Sequence, residues 1–136
     1  MNETTIKRGL MDALKKHAPG AVALRHEDLY TAGIPDLSIT LNGRTSWWEI
    51  KYADPHTRSS KVQKYLCGRL DEEGICRYVI YQRGIPHPQN PRQRQIRMVK
   101  PADVDHWKHC GKVISEGVFD HVALVTEIQR IHGVIL

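Results

Sequence analysis

The sequence predicts an α/β domain with a mixed β-sheet flanked by helices, in the order helix, three strands, helix, strand. Three observations lead to this prediction. Apolar residues recur at helical spacing near the start, an Asn-Gly pair separates two β-rich runs, and a capped amphipathic segment precedes a β-branched run. With 136 residues, the chain is long enough for one domain with a buried core.

The composition is typical of a globular protein, with 40% hydrophobic and 26% charged residues. A net charge of +5 and a pI of about 9.2 favour a polyanionic partner. No apolar run approaches the ~20 residues of a membrane span, and no signal-peptide pattern opens the chain. The three widely spaced cysteines fit a reducing compartment better than a disulfide framework. We therefore expect a cytoplasmic protein.

The first elements follow from apolar periodicity and from residues that end helices. A helix is predicted over about 2–17, because Ile6 and Leu10 begin a helical apolar repeat and Pro19 follows its end. A short strand is predicted over 21–24, and a polar loop over 25–32. A β-hairpin is predicted next, over 36–52.

The second helix is predicted to begin near Ser60, because Ser60 and Gln63 have the spacing of a capping box. Gly74 is a suitable residue just beyond its end. A strand rich in β-branched and aromatic residues is then predicted over 75–81. Residues 1–81 would form the core of the domain.

The remainder of the single domain, 82–136, is predicted as a basic loop and a C-terminal helical extension. Three prolines and three arginines indicate an exposed loop over 82–95. A short strand over 96–99, a short helix opening at Pro101 and a final helix over 120–132 follow.

The hairpin is the most specific prediction, because its turn fixes which residues face each other. Asn-Gly suits a two-residue type I′ turn, in which both central residues have positive φ. If residues 42–43 form that turn, pairing outward places Asp36 opposite Glu49. Opposed side chains have Cβ atoms ~5 Å apart, so two carboxylates there need a cation between them. Lys51 points to the same face as Glu49. This pattern predicts a site for a divalent metal and a phosphate.

These residues form a motif that resembles the signature of the PD-(D/E)XK nuclease superfamily. Pro-Asp at 35–36 is followed by twelve residues and then by Glu-Ile-Lys at 49–51. The longer pattern, with Gly-Ile before Pro-Asp, Trp48 before Glu49, and Gln63 early in the next helix, is similar to the VRR-Nuc family. That family comprises small nuclease domains, found as stand-alone phage and bacterial proteins and inside larger repair enzymes. The resemblance covers roughly residues 2–81.

The resemblance implies a restriction-endonuclease-like core and a Mg²⁺-dependent DNA endonuclease, in which Mn²⁺ can substitute. Such an enzyme would cut a phosphodiester bond with metal-activated water and leave a 5′-phosphate, in a bacterial or phage-infected cell. Small stand-alone members look like structure-specific enzymes that act on Holliday junctions or other branched DNA, as in repair and recombination. Two symmetric cuts need two active sites, so we expect a homodimer.

The resemblance also assigns roles to individual residues. Asp36 and Glu49, with the backbone carbonyl of Ile50, would hold the metal, and Lys51 would hold the attacking water or stabilise the transition state. Glu3 matches an acidic residue of the family's first helix, and would act at or near the metal.

Two of these roles have alternatives. Glu3 could instead be an acid favoured by the dipole of the first helix, and Glu27 and Asp28 are rival acids in the loop before the motif. Gln63 matches a family glutamine that positions water or the scissile phosphate, but it could equally serve the capping box with Ser60.

Basic side chains near the motif are predicted to contact the DNA backbone without reading its sequence. The alternative is that they form a solvated surface. These residues are Lys61, Lys64, Arg58, Arg83, Arg92 and Arg94, with Arg97 and Lys100 as further candidates.

The C-terminal part offers weaker signals. The final helix has an apolar side that continues into Val134, Ile135 and Leu136 and would either form a dimer surface or pack in the core. His106 to Cys110 lack the paired cysteine spacing of a zinc site, so Trp107 is predicted to be a core residue.

Two other functions remain open at this stage. One is a nicking or restriction-type nuclease on ordinary duplex DNA. The other is a non-catalytic nucleic-acid-binding module, against which the intact Asp36, Glu49 and Lys51 argue.

Overall fold

The computed structural model describes residues 2–26, 32–53, 59–85 and 93–136. These residues form a six-stranded mixed sheet flanked by helices, so the predicted α/β class is confirmed. The described strands lie side by side in chain order. Neighbours are antiparallel except for the third and fourth strands, which are parallel.

The chain begins with helix α1 (Glu3–His17) and edge strand β1 (Val22–Arg25), as predicted to within a residue or two. The side-chain oxygen of Asn2 caps α1 by accepting a hydrogen bond from the backbone N–H of Thr5 at 2.9 Å. The predicted apolar repeat of α1 is buried against the sheet. The loop predicted to follow β1 lies largely outside the described residues.

Strands β2 (Leu37–Leu41) and β3 (Arg44–Ala53) form the predicted hairpin. Both residues of the Asn42-Gly43 turn have positive φ, at 54° and 74°, as a type I′ turn requires. The predicted register holds along the whole ladder, from the turn to Leu37 opposite Trp48.

A buried histidine near the C-terminus holds this turn in place. The imidazole of His132 lies 2.9 Å from the carbonyl oxygen of Leu41 and 2.7 Å from the hydroxyl of Ser46. The side-chain amide of Asn42 donates to the carbonyl of His132 at 2.8 Å. His132 is completely buried, and the sequence analysis did not predict its role.

Helix α2 (Lys61–Glu73) connects β3 to the parallel strand β4 (Ile75–Ile85). The hydroxyl of Ser60 caps α2 by accepting the backbone N–H of Gln63 at 3.1 Å. The predicted helix and strand are therefore confirmed, although β4 is longer than the predicted 75–81.

The C-terminal part adds strand β5 (Gln93–Val99), a 3₁₀ helix (Pro101–His109), strand β6 (Lys112–Glu116) and helix α3 (His121–Ile131). This part therefore completes the sheet, and does more than add helices to a finished core. Strand β6 was not predicted.

The prediction of one exposed loop over 82–95 was wrong at both ends. Strands β4 and β5 pair as a long antiparallel hairpin, with Gln82 opposite Gln95, and Gln95 is buried. Polar residues can pair in a ladder because the backbone supplies its hydrogen bonds. The three prolines lie in 86–92, outside the described residues.

The two faces of the sheet carry separate cores. One lies under α1 and α3, and the other lies under α2 and the 3₁₀ helix, where Trp107 is buried as predicted. Helix α3 buries Leu124, Val125 and Ile128 in the first core, whereas Val122, Ile135 and Leu136 of the predicted dimer surface are exposed. Across the described ranges, no helix combines the length and apolar character needed to cross a membrane.

Candidate active site

The candidate site lies where β3 continues beyond the end of β2. The β2–β3 ladder ends at Trp48, and Ile50 and Tyr52 direct their backbone N–H groups to the side that β2 has left. Asp36 accepts the N–H of Ile50 at 2.8 Å, and Glu3 accepts the N–H of Tyr52 at 3.2 Å. Carboxylates from the motif loop and from α1 thus replace a neighbouring strand, and they meet at one edge.

Asp36 and Glu49 converge as the hairpin register predicts. The backbone N–H of Asp36 donates to Glu49 Oε1 at 3.2 Å, and only 4% of Glu49 is exposed. Burial, together with the charge of Asp36 and a hydrogen bond to it, raises the pKa of Glu49 to about 8, although Lys51 opposes this shift. A cation between the two carboxylates would stabilise the ionised form of Glu49.

Two lysines lie against these carboxylates. Lys51 Nζ is 3.3 Å from Glu49 Oε2, and Lys7 Nζ is 2.7 Å from Asp36 Oδ1. Both lysine side chains are mostly buried, at 18% and 17% exposure. The sequence analysis missed Lys7. A signal was present, because Lys7 is four residues after Glu3 and therefore lies on the same side of α1.

Gln63 uses its backbone and its side chain for different purposes. Its backbone N–H receives the cap from Ser60, while its side-chain amide donates to Glu49 Oε2 and accepts a hydrogen bond from the hydroxyl of Ser59 at 2.6 Å. Ser59 also contacts the hydroxyl of Tyr78 at 2.7 Å. The reciprocal half of the capping box is therefore not formed by this side chain. Gln63 faces the carboxylates, and its side chain is held by Ser59, which Tyr78 holds in turn. The sequence analysis predicted neither of these two hydroxyl residues.

Gly33 allows the motif loop to pack closely against α2. Its φ is +79°, in the region that favours glycine, and a Cβ atom there would lie 2.9 Å from both the Cα and the backbone N of Gln63. The Gly-Ile that precedes Pro-Asp in the motif thus has a physical reason: it brings the loop carrying Asp36 against the helix carrying Gln63.

The predicted DNA-contacting residues are dispersed. Lys61 is exposed on α2, whereas Lys64 forms an ion pair with Asp105 at 3.1 Å. Arg83 is partly exposed near the end of β4, and the guanidinium of Arg94 lies 5.5 Å from the ring centre of Phe119. Arg97 donates to the carbonyl of Cys110 at 2.8 Å, and Lys100 is exposed. Arg58 and Arg92, like the rival acids Glu27 and Asp28, lie outside the described residues.

The donors at the site fit a hard cation such as Mg²⁺. Within the described part of the chain, no three His, Cys, Asp or Glu side chains form a group that could hold a metal ion. Mg²⁺, however, usually keeps several waters and binds through one or two carboxylates, which Asp36 and Glu49 supply. The carbonyl of Ile50 faces the same edge as its N–H, and Glu3 lies one strand repeat further along.

Comparison with protein-family models found no match to this chain, and comparison with curated proteins found none either.

Proposed function

We propose that this chain is a Mg²⁺-dependent DNA endonuclease of the PD-(D/E)XK superfamily, with a restriction-endonuclease-like core and a VRR-Nuc type of site. The observation that carries the proposal is the meeting of Asp36, a buried Glu49 and Lys51 at the end of a hairpin. A buried carboxylate beside a second carboxylate is unfavourable as a purely structural feature. Such perturbed groups are typical of functional sites.

Asp36 and Glu49 would hold the metal, with the carbonyl of Ile50 as a further donor and Glu3 beside them. Bound Mg²⁺ would acidify a water molecule and neutralise charge on the phosphate. The N–H of Ile50 already holds Asp36, and the amide of Gln63 holds Glu49, so the carboxylates are oriented before a cation arrives, while Lys7 and Lys51 pair with their charges in its absence.

Lys51 and Gln63 supply the remaining groups at the reaction centre. Lys51 is a cation whose side chain is mostly buried, and a charge in such a position stabilises the negative charge that develops on the phosphate more than a solvated one would. Gln63 carries both a donor and an acceptor, so it can orient a water or a phosphate oxygen next to Glu49. Ser59 fixes the orientation of its amide.

The net charge of +5 favours DNA as the polyanionic substrate. We expect branched DNA to be cut in preference to linear duplex, and a homodimer to make paired cuts. A panel of four-way junction, flap, splayed-arm and linear DNA tests the substrate preference, and the solution mass tests the oligomer. A branched-to-linear cleavage ratio near one would favour an enzyme acting on ordinary duplex.

The decisive experiment compares cleavage in Mg²⁺, Mn²⁺ and EDTA for the wild type and for site variants. Asp36→Asn and Lys51→Met should each lower the cleavage rate by at least about a hundredfold, the scale of removing one preorganised group. Asp12→Asn and Lys16→Met are matched controls on the exposed side of α1, and should retain activity.

The binding of the same DNA separates an enzyme from a non-catalytic module. An enzyme should lose cleavage in Asp36→Asn while binding DNA as tightly as the wild type or more tightly, because a carboxylate that repels phosphate is gone. If the wild type binds DNA but shows no metal-dependent cleavage on any substrate of the panel, the endonuclease proposal is wrong.

A further inference from the structure

A second cavity lies at the same end of the sheet as the candidate site, between the first turns of α1 and α3. This cavity, which we call the α1–α3 pocket, has a volume of about 320 Å³. Its size is at the lower end of the range for small-molecule sites. The pocket is lined by Thr5, Ile6, Gly9, Arg94, Val118, Phe119 and His121.

The walls of this pocket combine aromatic rings with unused hydrogen-bonding atoms. Tyr81 does not line the pocket; it is completely buried, and its ring packs edge-on against Phe119 at 5.2 Å and lies 5.6 Å from the ring of His121. Tyr81 Oη and His121 Nε2 are both buried, and neither has a hydrogen-bond partner among the described residues. Burying such groups unpaired is unfavourable, which indicates a ligand or water that completes them.

The mouth of the pocket is basic and aromatic. The guanidinium of Arg94 lies over the half-buried ring of Phe119, 5.5 Å from its centre. A cation beside an accessible ring suits a ligand that has a flat aromatic part and a nearby negative charge.

The pocket and the candidate active site lie on opposite faces of the sheet and share helix α1 as a border. Both are bordered by α1: Glu3 reaches the edge of β3, while Thr5 and Gly9 line the pocket on the other flank of the same helix. At 1.5 Å per residue, the helix axis advances only ~9 Å from Glu3 to Gly9. A helix with its side chains is ~10–12 Å across, so a DNA strand that crosses the start of α1 would reach both the site and the pocket.

We propose that the α1–α3 pocket binds an unpaired nucleobase of the DNA substrate. This inference rests on the proposed function for the identity of the substrate, and it adds a way of selecting DNA that has unpaired bases. The base edge would pair with His121 Nε2, its flat face would contact Phe119, and the adjoining phosphate would meet Arg94. Burial lowers the pKa of His121, which favours a neutral imidazole that can donate or accept.

The test uses a duplex with a one-nucleotide bulge that carries adenine, and the same duplex with an abasic residue in the bulge. Binding is measured by fluorescence anisotropy with Ca²⁺ in place of Mg²⁺, to limit cleavage. Wild type should bind the adenine bulge at least about fivefold more tightly than the abasic bulge, the lower end of the range for stacking one base on an aromatic side chain.

Gly9→Ala tests the pocket with little other change. A Cβ on Gly9 would lie 2.4 Å from Cε1 of His121, so the imidazole must move. Gly68→Ala is the matched control, because Gly68 is also in a helix and has no atom within 4 Å of the added Cβ. Phe119→Leu removes the ring while keeping most of the apolar volume. We expect the adenine preference to fall below about twofold in Gly9→Ala and Phe119→Leu, and to persist in Gly68→Ala.

Each outcome separates the pocket from the catalytic proposal. If wild type binds the adenine and abasic bulges with nearly equal affinity, the pocket proposal is wrong, because the cavity would hold water alone. If the preference for adenine survives both Gly9→Ala and Phe119→Leu, the proposal is also wrong, because the base would bind elsewhere. Metal-dependent cleavage without base preference leaves the nuclease proposal intact and removes the pocket. A base preference that depends on Gly9 and Phe119, in a chain that never cleaves, supports the pocket and removes the nuclease.

Discussion

The raised pKa of Glu49 predicts how stability should depend on pH when no divalent cation is present. The carboxyl has an ordinary pKa of 4.5 and a folded-state pKa of about 8, mainly because it is buried and secondly because it lies beside Asp36. Between these values the folded protein keeps a proton that the unfolded chain has released. Stability from this group is therefore complete below about pH 4.5 and is lost as the pH rises towards 8.

The size of the effect follows from the two pKa values. One pKa unit corresponds to ~1.36 kcal/mol, so this group alone should lower the free energy of unfolding by about 4 kcal/mol between about pH 5 and about pH 9. This is a large share of the ~5–15 kcal/mol that stabilises a typical domain. Glu49→Gln preserves the shape of the side chain and removes its ionisation, so the variant should lack this component.

Urea denaturation in EDTA, repeated across this pH range, measures the effect. The stability difference between wild type and Glu49→Gln should move by about 4 kcal/mol in favour of the variant as the pH rises. Taking the difference cancels titrations that both proteins share, including that of His132. Glu73→Gln is the control, because the side chain of Glu73 is 76% exposed on α2. Parallel pH profiles for wild type and Glu49→Gln would refute the reasoning.

The same experiment in millimolar Mg²⁺ tests whether a cation compensates the carboxylate pair. A cation that binds the folded state alone adds stability that increases with its concentration. Wild type should therefore regain at pH 9 most of the stability it loses in EDTA, whereas Glu49→Gln should change little. An equal response of the two proteins to Mg²⁺ would place the binding of the cation elsewhere.

Three further predictions test the framework of the site. Gly33→Ala and Gly43→Ala should each lower the free energy of unfolding by ~1–2 kcal/mol in urea denaturation, because both positions have a positive φ. Only Gly33→Ala should also slow cleavage, on the order of tenfold or more, because its added Cβ atom would press against α2. Lys7→Met should lower the Mg²⁺ concentration for half-maximal thermal stabilisation about fivefold, since its ammonium competes for Asp36. His132→Leu should destabilise the fold by about 2–4 kcal/mol; in wild type, burial lowers the pKa of this imidazole, so stability should fall as the pH drops below about 6.5.

The hairpin and its consequences could be predicted because they depend on local chemistry. Asn-Gly specifies a turn with positive φ at both positions, and the turn fixes the register, so the approach of Asp36 to Glu49 required no knowledge of the rest of the fold. Helix α2 could be predicted for the same reason, because its cap, Ser60, immediately precedes it in the sequence.

What could not be predicted depends on contacts between distant parts of the chain. Strand β6 and the unpredicted ends of β4 and β5, over 82–85 and 93–95, are rich in polar residues, and their pairing is set by the neighbouring strand. His132 contacts the turn across about ninety positions of sequence, with no local pattern to reveal it. Lys7 was recoverable from its helical spacing to Glu3, but Ser59 and Tyr78 acquire their roles only when α2 docks on β4.

The unequal lengths of β2 and β3 explain why the site forms where it does. Strand β3 has ten residues and β2 has five, so β3 continues beyond the end of the ladder, where its backbone groups face no strand. Buried backbone N–H groups need acceptors, and here two carboxylates supply them. The hydrogen bonds that complete the sheet therefore also gather carboxylates at its edge. Lys7 and Lys51 offset their charge only in part, and burial together with the charge of Asp36 still raises the pKa of Glu49. A fold that needs acidic side chains to finish its sheet is already suited to binding a cation at the same place.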